Sequence, residues 1–202
     1  MRVALAAVLV LLGGCSYYNG MYNVDHLAGR ARSAERQGRT FEAASLWGQV
    51  SVKAESALVH HPRSAWADRA RLLQGTALAR LRDCRGALIP LQMVMVSPDA
   101  ELAEDAAAVA GGCYATLGDP RSAASTFARL TSSHDSGRRN QSLFYHGQAL
   151  RAGGDYATAL VELEQSRHPR ARGERAAALA GLGRSDEERG RRQRIVAREP
   201  RE

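Results

Sequence analysis

Several residue types are scarce in this chain, and each scarcity excludes something. Lys53 is the single lysine among 28 basic residues; all the others are arginine. Aromatic residues make up only 5%, too few for the stacking platforms that hold single-stranded nucleic acid. The cysteines are Cys15, Cys84 and Cys113, with no Cys-x-x-Cys spacing among them, so the sequence carries no redox motif. His60-His61-Pro62 is the one histidine cluster, and no carboxylate or cysteine stands beside it at zinc-ligand spacing. Gly-x-Ser-x-Gly, His-Glu-x-x-His and phosphate-loop patterns are all missing. No catalytic residue, cofactor or metal is therefore expected. No run alternates apolar with polar residues, so no sheet is expected either. The formal charge of +7 reads as the arginine bias of a GC-rich genome rather than as a surface selected for nucleic acid.

The longest apolar run is Val3 to Leu12, ten residues behind Met1-Arg2. A membrane-spanning helix needs about 20. A short basic start, an apolar stretch and then small residues instead read as an export signal. An ordinary cleaved signal, or a buried N-terminal helix, would leave Cys15 incidental. Leu12-Gly13-Gly14-Cys15, however, resembles the lipobox of bacterial lipoproteins. The resemblance implies that residues 1–14 are removed as a signal peptide. It further implies that the Cys15 thiol takes a diacylglyceryl group and that the new amine is acylated, for instance with palmitate. Several acyl chains anchor stably where a single chain does not. Ser16, in place of an aspartate, implies the periplasmic face of the outer membrane rather than the inner one. Residues 15–25 show no helical period and are expected to form a lipidated tether.

Most of the remaining chain repeats. "GGCYATLGDPRSAASTFARL" (111–130) and "HGQALRAGGDYATALVELEQS" (146–166) share one frame. A small residue (Gly111, Gly147) is followed by a large one (Tyr114, Leu150), a Gly-Asp turn, an alanine (Ala123, Ala159) and an apolar residue (Phe127, Leu163). Gly75, Leu78, Arg82-Asp83, Ala87 and Leu91 make an upstream copy. Ala87, Ala123 and Ala159 are about 36 residues apart. Ala31, Ala34, Gly38, Ala43 and Trp47 make a first copy, whose second helix is expected to be longer by about two turns. Ala176, Leu179 and Gly183 make a worn fifth copy ahead of an arginine-rich terminal helix. Pro62, Pro98, Pro169 and Pro200 fall between or after the expected helices, and residues 132–140 read as a loop.

This pattern resembles the tetratricopeptide repeat (TPR), a helix–turn–helix unit of about 34 residues. The resemblance implies an all-α, TPR-like α-solenoid of four to five antiparallel helix pairs over residues 26–200. One hairpin cannot bury its apolar face alone, so the repeats must stack. Arg71 and Gln74 depart from the pattern, which prefers large apolar side chains there.

Behind an export signal the compartment is oxidising. In the repeat frame Cys84 starts the second helix of copy two and Cys113 lies in the first helix of copy three. They either form a disulfide closing a loop of about 29 residues, worth about 3–4 kcal/mol in the chain-entropy picture, or act as two buried hydrophobes. First helices of stacked repeats line a groove, which places Arg32, Arg36, Arg69, Arg80, Gln141, Phe144, Gln148 and Arg151 there. A basic groove suits an acidic or extended segment of a partner protein, and neither nucleic acid nor a small-molecule substrate is expected.

The combination resembles the lipid-anchored helical-repeat adaptors of outer-membrane barrel assembly and the pilotins of pilus secretins. It implies a non-catalytic envelope scaffold. The alternative is a regulator or accessory subunit of a peptidoglycan or secretion enzyme system.

Overall fold

The computed structural model describes residues 21–196. Among them the chain forms α1 (Asn23–Arg36), α2 (Thr40–His60), α3 (Ala67–Arg80), α4 (Cys84–Val94), α5 (Ala100–Thr116), α6 (Pro120–Ala128), α7 (Ser136–Ala152), α8 (Tyr156–Gln165) and α9 (Ala171–Val196). No strand occurs among the described residues, so the fold is all-α. None of these helices is long and apolar enough to cross a membrane. Two units divide after Leu117.

Aspartate starts most of the helices. The carboxylates of Asp83, Asp99, Asp119, Asp135 and Asp155 accept a hydrogen bond from the backbone N–H three residues on, at Gly86, Leu102, Ser122, Arg138 and Thr158. Each satisfies a donor that the first helical turn leaves without a partner. Pro120 follows Asp119 at the first position of α6, where a missing N–H costs nothing. The turns that enter α2, α4, α6 and α8 share a second device. Each holds one residue at positive φ: Gly38 at 70°, Arg82 at 69°, Gly118 at 75° and Gly154 at 88°. Glycine occupies that region without penalty, and arginine does not.

In the first unit α2 packs on α1 and α3, and α4 packs on α3 and α5; α3 also touches α1 and α5. One core cluster gathers Val24, Ala28, Ala31, Trp47, Val50 and Leu73 between the first three helices. A second gathers Leu72, Cys84, Ala87, Leu91, Ala110 and Cys113. In the second unit α7 contacts α6, α8 and α9, and Phe144, Ala159, Leu163, Ala171 and Ala178 form the core. The frame alanines Ala43, Ala87, Ala123 and Ala159 are all buried. Gly75 seats on Leu91 and Ala87 as Gly147 seats on Leu163 and Ala159, so one close approach of two helices recurs in both units. At 21 residues, α2 exceeds the 11 of α4, as the extra residues of the first copy require.

Three expectations need correction. Residues 21–25, the described end of the segment expected as tether, are already helical, because Met21 and Val24 continue the apolar spacing of Ala28 and Ala31 and are fully buried. The expected loop at 132–140 ends early, since Asp135 caps α7 and residues 136–140 are helical. In the fifth copy Leu179 is exposed and a side chain at Gly183 would meet open space. The positions used are instead Ala171, Ala178 and Gly181, which lies against the Tyr156 ring.

Candidate functional site

The eight residues expected to line a groove fall into two sets of four, one in each unit, and most are engaged within the chain. In the first unit the Arg69 guanidinium is bound to Asp25, with its Nε 2.9 Å from Oδ1. Arg80 lies 3.6 Å from Glu35, whose carboxylate also accepts from Trp47 Nε1 at 2.8 Å. Arg32 stands 6.0 Å above the Trp47 ring. In the second unit Gln148 and Arg151 share the Glu174 carboxylate, at 2.8 and 2.7 Å. Arg36 and Gln141 are exposed.

Phe144 is a correction. It is wholly buried, because the segment between α8 and α9 folds over it: the His168 ring stacks on it at 3.8 Å and Arg170 lies 5.4 Å from its centre. It is a core residue and presents nothing to a partner.

A different feature of the first unit is open. A cleft of about 260 Å³ lies where α2, α3 and α4 meet. Leu58, from the last turns of the long α2, and Arg71, Gln74 and Leu78 of α3 line it. Gly86, Ile89, Pro90 and Met93 of α4 complete the lining. Ile89 is 69% exposed and Met93 53%, an uncovered apolar surface of the sort that marks interaction sites. The Arg71 head is held by Asp68 Oδ1 at 2.9 Å and by the Pro62 carbonyl at 3.3 Å, and Asp68 is itself fixed by the Ser97 hydroxyl at 2.7 Å. Arg71 therefore offers the cleft its methylene stem. Gln74 has no hydrogen-bond partner among the described residues, so its amide is available both to donate and to accept. Pro90 sits inside α4 and has no N–H for the carbonyl four residues before it, which is that of Gly86.

Sequence reasoning missed this cleft although its signals were present. Arg71 and Gln74 are polar where a repeat fills space with large apolar groups. Arg82 replaces the glycine of the other turns, and Pro90 interrupts an otherwise apolar helix.

Cys84 and Cys113 are both buried, at 6% and 2% exposure, in one cluster. They are free thiols, and burial, reinforced by the neighbouring Cys84, pushes the Cys113 thiol up to about 12. Cys15 lies outside the described residues. Among the described residues no group of three metal-ligating side chains comes together.

No protein-family model, curated protein or solved structure matches the chain.

Proposed function

We propose that the protein is a non-catalytic scaffold of the cell envelope. In this reading its helix pairs are tetratricopeptide-like repeats of an α-solenoid, and Cys15 carries lipid that holds it at the periplasmic face of the outer membrane. It works by binding other proteins.

The observation that carries this reading is the recurrence of one packing unit. Gly75 against Leu91 and Ala87, and Gly147 against Leu163 and Ala159, repeat the same close approach, and positive-φ turns recur with it at Arg82, Gly118 and Gly154. Repeats built in this way expose extended surfaces suited to polypeptides. The anchor rests on the lipobox-like Leu12-Gly13-Gly14-Cys15.

Fractionation of cells expressing the chain, with and without Cys15→Ser, tests the anchor. The wild-type protein is expected in the outer-membrane fraction, labelled by radioactive palmitate, and the variant loses both properties. Wild-type protein that is unlabelled and soluble in the cytosol overturns the reading. Cross-linking in intact cells tests the scaffold: a reproducible protein partner is expected, and its complete absence overturns that half.

A further inference from the structure

We propose that the cleft between α2, α3 and α4 binds one large apolar side chain of an acidic polypeptide segment. This deepens the scaffold reading and rests on it, and it places the contact away from the residues first expected to make it.

The departures of copy two from the repeat frame converge at this place. The additional turns of α2 bring Leu58 to the cleft. Gln74 leaves space where a large apolar residue would close it, and Ile89 and Met93 stay uncovered beside it. Leu58, Leu78, Ile89, Pro90 and Met93 line the cleft with apolar groups, as ligand sites are mostly lined. The Gln74 amide, which both donates and accepts, complements a peptide backbone.

Charge selects the segment. Arg63 follows Pro62, whose carbonyl fixes Arg71. Arg82 stands in the chain between the cleft-lining Leu78 and Gly86, and Arg85 directly precedes Gly86. All three arginines are exposed, and no ion pair within the described residues neutralises them. Arg69 and Arg80, by contrast, are paired with Asp25 and Glu35. Arg82 adds a second argument, because it is held at a φ of 69° where the equivalent turns have glycine. Strain of this sort persists where a side chain is needed. Carboxylates flanking the anchor would meet these arginines, while a lysine-rich segment would be repelled.

Short fluorescent peptides test the proposal. One set carries a leucine or phenylalanine between glutamates; a second has serine at the anchor; a third has lysines for the glutamates. Fluorescence anisotropy with the purified protein is expected to show binding of the first set, and binding about tenfold weaker or worse for the other two. Met93→Glu should weaken the first set about tenfold, and the double variant Arg63→Glu/Arg85→Glu should abolish the preference for glutamate over lysine. All three side chains are exposed, and unchanged thermal melts confirm that the variants stay folded. Equal binding of the serine peptides, or undiminished binding by Met93→Glu, overturns the proposal. So does self-association that Met93→Glu abolishes, which would make a second copy the occupant. Sedimentation with anionic phospholipid vesicles that the same variant abolishes would give the cleft to a membrane instead, and also overturns it. A photo-cross-linking amino acid in place of Met93, or in place of Arg36, separates this proposal from the wider reading. A partner trapped in cells only from position 36 removes the cleft and leaves the scaffold, and no trapping at either position removes both.

Discussion

Gly75 and Leu91 are so close that a Cβ on Gly75 would lie 2.5 Å from Leu91 Cγ and 3.1 Å from the Ala87 carbonyl. Gly147 stands in the same relation to Leu163 and Ala159, at 2.6 and 3.1 Å. A leucine can yield a little, but a helix backbone cannot. Gly75→Ala and Gly147→Ala should each destabilise the protein by about 1–3 kcal/mol, the usual cost of overpacking, despite the better helix propensity of alanine. Gly112, inside α5 with nothing within 4 Å of a built Cβ, is the control. Gly112→Ala should stabilise by about 0.5–1 kcal/mol. Urea unfolding of the three variants checks the contrast, and equal effects at all three positions would contradict the packing.

Arg82 makes the opposite trade. Its φ of 69° costs an L-residue about 1–2 kcal/mol that glycine does not incur. Arg82→Gly should therefore raise stability by about 1 kcal/mol, while lowering affinity for glutamate-flanked peptides. A thermal melt and the anisotropy titration read the two effects on one sample. A variant that gains stability and loses no affinity would show that Arg82 is only tolerated.

Periodicity made the architecture legible in the sequence. Small residues, Gly-Asp turns and alanines recur at fixed spacing because each repeat solves one packing problem, and Ala31, Ala87, Ala123 and Ala159 are all buried in consequence. The errors lie where a contact is set by something other than that period. Met21 and Val24 extend the apolar face of α1, but they sit among tyrosines and asparagines that hide it. Phe144 is covered by His168 and Arg170, which lie in a connecting segment outside any repeat. Arg69 and Arg151 are engaged by Asp25 and Glu174, partners far away in the chain. The cleft was the least legible, because three helices make it together and each contributes a departure from the pattern.

The buried thiols lead to a prediction about alkali. In the reduced protein Cys113 is raised from 9.0 to about 12 by burial, with Cys84 beside it, so the fold favours the protonated form. Its contribution to stability is complete below the unfolded value near 9.0 and is lost as pH rises from there toward 12. Melting temperature should decline over that range, and Cys113→Ala should flatten the decline. At pH 8 iodoacetamide should modify neither thiol until denaturant opens the first unit. Rapid alkylation of the folded, reduced protein would be incompatible with this core.

Phe144 separates the packed core from the partner surface most sharply. A residue facing a groove could be truncated at the expense of partner affinity alone, whereas a residue with 0% exposure leaves a cavity behind. Phe144→Ala removes the ring on which His168 stacks and toward which Arg170 leans, so the segment joining α8 to α9 loses its seat. The expected cost is about 3–5 kcal/mol. Gln141→Ala, an exposed change one turn earlier on α7, should stay within about 0.5 kcal/mol of wild type. Chemical denaturation of the two variants reads the difference directly. If Phe144→Ala keeps full stability, the connecting segment does not cover the ring, and the side chain returns to the surface that the repeat frame first assigned to it.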